Sequence, residues 1–136
     1  MARIVLTDAK ITIGGVNLSD HITSVGLSTS DDVVDTSAFG GGGARTRVAG
    51  LADNSLTLEF NQDFASANVE ATIYPLIGTL TTVVVSPTSA VASASNPTYT
   101  FSALVSEWQP LSGAVGELAT ASVTWPISGV ITKATA

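Results

Sequence analysis

Ser55-Leu56-Thr57-Leu58-Glu59-Phe60-Asn61 is the stretch that decides the class of fold. Leu56, Leu58 and Phe60 fall on one side of an extended chain, and Ser55, Thr57, Glu59 and Asn61 on the other. That period of two belongs to a strand with one buried face. The pattern recurs downstream. Tyr99, Phe101, Ala103 and Val105 oppose Thr100, Ser102, Leu104 and Ser106 within Tyr99–Glu107; Ala119, Ala121, Val123, Trp125 and Ile127 oppose Thr120, Ser122 and Thr124 within Glu117–Ile127. Thr79–Ser86, centred on Val83-Val84-Val85, reads as a further strand, and Val130–Lys133 as a short last one after Gly129.

Upstream, Ala9–Leu18 reads as a hairpin in which Gly14-Gly15 makes a two-residue turn. Ile13 then faces Val16 and Ile11 faces Leu18, so both apolar pairs share a side. His21–Thr29 is expected to be a strand with Val25 and Leu27 on one face, interrupted at Ser30-Asp31-Asp32 and resuming at Val33-Val34. Gly40-Gly41-Gly42-Gly43 has too much backbone freedom for a core element, which predicts a flexible loop or the tip of a long hairpin. After Phe60 the spacing changes: Val69, Ile73, Leu76 and Ile77 lie at helical intervals. Asp63 is placed to cap that helix and Pro75 to end it. Pro87–Pro97 is a Ser/Ala-rich connection with little to bury. The whole, residues 1–136, is expected to be one domain: a mainly β sandwich or barrel of about seven or eight strands with one short α-helix.

Composition agrees. Of 136 residues, 18 are Thr and 16 are Ser, while charged residues make up only 12% and mean hydropathy is +0.41. The usual charged share is about 25%, so the strands' outward faces carry hydroxyls where Lys and Glu would normally guard against association. Such a surface is expected to be covered by other molecules. With 5 basic and 11 acidic residues the net charge is −6, too few cations to displace phosphate counterions from nucleic acid. No apolar run approaches the roughly 18 residues of a membrane span, so membrane insertion is not expected. Met1–Asp8 leaves no room for the apolar core of a signal peptide, which predicts a start in the cytoplasm.

Enzyme chemistry finds little footing. His21 is the sole histidine, cysteine is absent, and no Gly-x-Ser-x-Gly elbow exists, so His21 is read as a strand-end residue. Gly40–Arg47 lacks the lysine and the following helix of a phosphate-binding loop. The Asp31, Asp32 and Asp35 cluster fails the alternating spacing of a calcium loop and is read as a solvated turn or acidic contact patch. Glu59, Asp63, Glu70, Glu107 and Glu117 supply carboxylates, but nothing places a pair in an apolar cleft for glycoside cleavage. No cofactor or metal is expected.

The order of elements then matters. Val16-Asn17-Leu18-Ser19-Asp20 closes the hairpin, Ile22–Leu27 follows, and Asp32-Val33-Val34-Asp35-Thr36-Ser37 leads to the glycine run. Leu56–Phe60 precedes the helix ending at Leu76-Ile77-Gly78; Asn96-Pro97-Thr98-Tyr99 opens a strand, and Ile127–Thr132 stands near the end. Through this order and loose local patterns, nearly the whole chain resembles the major tail (tail tube) protein of long-tailed bacteriophages. The resemblance implies a structural, non-enzymatic virion protein, assembled in the host cytoplasm. Its copies would form six-membered rings that stack into a hollow tube. It implies strands joined across subunits, a long loop touching the neighbouring ring, and a channel holding first a tape-measure protein and then, without specific binding, double-stranded DNA. Other tail proteins would be further partners.

The residues fit such a conduit: Thr/Ser-rich strands leave pairable edges, and −6 per copy repels DNA. Candidate inter-ring contacts are Gly40, Gly41, Gly42, Gly43, Arg45 and Arg47, meeting Asp31, Asp32 and Asp35. Glu59, Glu107 and Glu117, read as strand residues, are candidates for the channel wall. Rival readings are a head-decoration protein, the tube of a contractile secretion system, and a carbohydrate-binding sandwich.

Overall fold

The computed structural model describes residues 5–66 and 68–135. Its strands are β1 (Lys10–Ile13), β2 (Val16–Asn17), β3 (Ile22–Asp35), β4 (Arg47–Asn61), β5 (Leu80–Ser86), β6 (Thr98–Leu104) and β7 (Thr120–Ala134). All seven pair antiparallel in one sheet, ordered β2-β1-β5-β6-β7-β4-β3. The sheet curls until Leu6 and Ala9, before β1, line the same cleft as Val25 and Leu27 of β3. The expected sandwich or barrel is thus one curled, incompletely closed sheet.

Period-two patterning builds the concave face. Leu56, Leu58 and Phe60 of β4 lie opposite Trp125, Val123 and Ala121 of β7, and all six are buried. Phe101 and Ala103 of β6 and Val83 and Val85 of β5 continue the layer to Ile11 and Ile13. Burying each large member contributes about 1.5–3 kcal/mol. The cover is α1 (Val69–Ile73) with the segment 105–119: Val69 and Ile73 are fully buried, and Trp108 meets Phe60 edge-on at 5.5 Å.

The β1–β2 hairpin turns at Gly14 and Gly15, whose φ of 58° and 87° is the left-handed pair that a two-residue turn demands. Leu18 is buried beside it but belongs to a turn, its N–H reaching the Ile11 carbonyl at 3.2 Å.

Several boundaries differ from expectation. Ser30-Asp31-Asp32 does not break β3; it faces a bulge in β4, where Gly50 and Leu51 together oppose Asp32. A Cβ on Gly50 would stand 3.0 Å from Val34 Cγ2, so glycine permits that close crossing. β4 begins at Arg47, eight residues before the alternation, because its first half is exposed on both faces and carries no pattern. β7 runs through Ser128-Gly129 as one strand where two were expected; Gly129, at φ 90°, bends it without ending it. The helix is only Val69–Ile73, followed by a 3₁₀ turn, Tyr74–Leu76, that holds Pro75 in its first turn. Asn68, rather than Asp63, precedes the helix, and Ile77 stays largely exposed.

Candidate functional site

Two features stand out from the folded body, and both are surfaces. The first is an arm. β4 pairs with β7 only over Asn54–Asn61, so among the described residues Arg47–Asp53 has no strand neighbour except β3. From Ser28 to Asp53 every residue is exposed. An isolated two-stranded ribbon is marginal at best in water, yet this one carries Val33, Val34, Val48 and Leu51 at 46–81% exposure. At its end Phe39 is wholly exposed in a short 3₁₀ turn beside Gly40–Gly43.

The arm unites residues expected in separate loops. Asp31, Asp32 and Asp35 lie on β3, and Arg47 on β4 is in register with Asp35. Arg45 Nη1 donates to Asp35 Oδ2 at 3.0 Å within the chain. Ser37 bonds, from side chain and backbone, and secondarily Arg45, hold the Asp35 carboxyl below its ordinary range. Asp35, Arg45 and Arg47 therefore share one hairpin tip, because β3 continues to Asp35 and turns straight back, while Asp31 and Asp32 lie lower on the same ribbon, opposite Ala52 and the Gly50-Leu51 bulge.

The second feature is the convex face of the sheet. Ser24, Glu59 and Ser122 form one cross-strand row; Gly26, Thr57 and Thr124 form the next, and Ser28, Ser55 and Pro126 a third. Thr57 and Thr124 hydroxyls approach to 3.5 Å. Only one charge, Glu59, interrupts these three rows of nine residues. Of the other two channel candidates, Glu107 and Glu117 lie outside the strands: β6 stops at Leu104 and β7 starts at Thr120. Glu107 stands in for a missing strand, Oε1 accepting the Thr124 N–H at 2.8 Å and its carbonyl accepting the Trp125 indole N–H at 2.9 Å. Glu117 sits in an exposed turn.

His21 joins two segments. Its Nε2 meets Asp63 Oδ2 at 2.8 Å and Nδ1 meets Asp20 Oδ1 at 2.9 Å. Asp63 also accepts from the Ala65 N–H and the Asn68 amide, so it pins the turn before α1 instead of capping the helix. Partial burial pushes the imidazole pKa down, but the Asp63 and Asp20 bonds and charges outweigh it, and the value is raised. The Ala65 N–H, then His21, lower that of Asp63. The raised imidazole value makes this tie fully effective below about pH 6.5 and weaker as pH rises through the folded value. Urea midpoints of the parent should fall with pH across that window relative to His21→Gln; parallel profiles would count against the tie. Among the described residues, no group of three or more His, Asp or Glu side chains is arranged to hold a metal.

A curled antiparallel sheet with a long arm and a helix on its concave side is the tail-tube-like class of fold. The chain superimposes on a protein in the virion of a native gene transfer agent particle with TM-score 0.74 and 11% identity, covering 93% of this chain and 95% of that one. In the sheath–tube complex of an extracellular contractile injection system in its extended state, the values are 0.72 and 14%, covering 98% and 93%. In the tail of an empty gene transfer agent particle of C6 symmetry they are 0.59 and 15%, covering 82% and 81%. No family model and no curated protein matches the sequence.

The glycine run marks the loop in the sequence, whereas the returning half of the arm, Arg47–Asp53, and the exposed Phe39 at its end first emerge from the structure. The available signal was a lone aromatic directly before four glycines, with no apolar neighbour to bury it against.

Proposed function

We propose that this chain is a structural tail protein whose copies form hexameric rings stacked into a hollow tube, the conduit for DNA during ejection. The observation that carries this reading is the arm: some 26 exposed residues from Ser28 to Asp53, most of them beyond the last β4–β7 pair, with apolar side chains that have no core to pack on among the described residues. The likeness to tail and tube structures, one of them six-fold, supports the same reading. It has no catalytic role. The convex Ser/Thr face suits a channel wall: hydroxyls wet it, Glu59 adds negative charge, and no cation on these rows grips phosphate. A tape-measure protein would occupy the channel before DNA, other tail proteins would close its ends, and assembly would take place in the host cytoplasm before the protein resides in the virion tail.

Negative-stain electron microscopy of the purified chain over a range of concentration and salt tests the proposal. Hollow tubes or six-fold rings are expected; trimers with a flat base would replace it with shell decoration.

Gly40–Gly43, Arg45 and Arg47, with Asp31, Asp32 and Asp35, remain the proposed inter-ring contact, now as one arm with Asp35 at its tip and Asp31 and Asp32 near its base. Arg45→Glu with Arg47→Glu places like charges beside Asp35 and should raise the concentration needed for tube growth several-fold while rings persist. Sedimentation velocity separates the two species. Unchanged polymerisation would remove the tip charges from the contact.

A further inference from the structure

β7 is paired on both sides for only part of its length. β4 lies beside residues 120–127, but β6 makes its last pair with β7 at Ala103 and Ile127 and then leaves the sheet, Val105 turning into the core. Residues 120–126 therefore form a sheet edge in the middle of the strand order. In an antiparallel ladder alternate residues turn their N–H and C=O groups to opposite sides, and here Thr120, Ser122, Thr124 and Pro126 turn theirs away from β4. Two bonds fix that phase: the Thr120 N–H donates to the Ser112 carbonyl at 3.1 Å, and the Thr124 N–H donates to Glu107 Oε1 at 2.8 Å. Pro126 has no N–H to offer. Among the described residues, Ser122 is left with the open donor of this edge.

A bare edge is a template for strands of other chains. We propose that Glu107 is an edge guard, its carboxylate holding the Thr124 amide so that no foreign strand can pair along residues 120–126. A strand arriving there has to displace a charge-assisted bond and bury a carboxylate beside it. The stretch has no other such protection: residues 120–126 carry no charge, where an edge is ordinarily defended by lysine or another charged side chain.

Glu107 divides its work between two groups. Its backbone carbonyl accepts the Trp125 indole N–H at 2.9 Å and ties the segment to the core, while its exposed carboxylate serves the edge. The guard can therefore be removed by substitution with the core contact left in place. The inference does not depend on the tube reading.

Amide exchange by NMR and association under conditions where the parent sediments as a monomer test it, once cooperative urea unfolding shows that each variant folds. In Glu107→Ala the Thr124 amide should exchange at least about tenfold faster than in the parent, and thioflavin-positive aggregates should form at a concentration at least about fivefold lower. Glu107→Gln keeps an acceptor oxygen and should protect the amide as the parent does; Glu107→Lys keeps a long charged side chain but cannot accept, and should expose it. Glu117→Gln, which removes one negative charge from an exposed turn, should match the parent in both measurements. Ser122→Pro, added to Glu107→Ala, removes the open donor in the same strand phase as Pro126 and should restore the parent's solubility. A Thr124 amide equally protected in Glu107→Ala and Glu107→Lys as in the parent, or association of Glu107→Ala no greater than the parent's, overturns the proposal. So does association that Glu117→Gln reproduces or that Ser122→Pro leaves unchanged.

Discussion

Trp125→Ala is expected to unfold at urea concentrations that leave the parent chain native. Trp125 is fully buried in β7, opposite Leu56 of β4, and its indole N–H is bonded to the Glu107 carbonyl. Truncation removes the largest side chain of the core where the two halves of the sheet meet. Removing a core aromatic costs about 3–5 kcal/mol, against a total stability of about 5–15 kcal/mol for a domain. The Glu107 carbonyl also loses its partner, which loosens the segment that caps the free stretch of β7. With a slope of about 1–3 kcal/mol per molar urea, the midpoint should fall by at least about 1 M. Trp125→Phe keeps most of the ring volume and should cost less, chiefly the lost hydrogen bond, about 1 kcal/mol. Equal midpoints for the alanine variant and the parent would mean that this side chain does not hold the sheet together.

Replacing Asp31–Ala52 with Asn-Gly should do the opposite: leave the fold and abolish assembly. Ser30 and Asp53 are paired across the arm's base, so a two-residue turn joins them in register. The excised residues are all exposed and contribute nothing to the core. Cooperative urea unfolding near the parent's midpoint is the expected stability result, since surface changes are typically within about 0.5 kcal/mol. Assembly is different. Loss of the arm removes Phe39, the glycine tip and the acidic row together. The concentration needed for tube formation should rise at least about a hundredfold, at about 1.4 kcal/mol per tenfold step. Tubes at parental concentrations would show that the copies hold together through the sheet body.

What was legible in the sequence follows from burial. Leu56, Leu58 and Phe60, or Ala121, Val123 and Trp125, alternate because one face meets a core and the other meets water, and those strands were found with their faces correctly assigned. The Gly14-Gly15 hairpin was legible because its turn requires positive φ at both positions. The first half of β4 was not, since a ribbon exposed on both faces imposes no period on Val48-Ala49-Gly50-Leu51. Gly129 reads as a strand end in the sequence because glycine marks a bend as readily as an end. An alternation extended past Leu104 and before Thr120 puts Glu107 and Glu117 on strands, but the pairing has stopped at both points. For the surfaces, composition announced contact through scarce charge and abundant hydroxyls. It gave no sign that Asp35 shares one tip with Arg45 and Arg47, a matter of where β3 turns.

The position of β7 also sets the order in which the molecule can be made. Last of the seven strands in the chain, it lies in the middle of the sheet, joining β6 on one side to β4 on the other. Until it is made, no strand links β3–β4 to β1–β2–β5–β6, and the inner edges of β4 and β6 have no partner. Pairings such as Asn54 with Ile127 span some seventy residues and form only when Thr120–Ala134 is free of the ribosome. Until then the bare edges of β4 and β6 are templates for neighbouring nascent chains, so crowded synthesis exposes this protein to mispairing just before its keystone strand arrives.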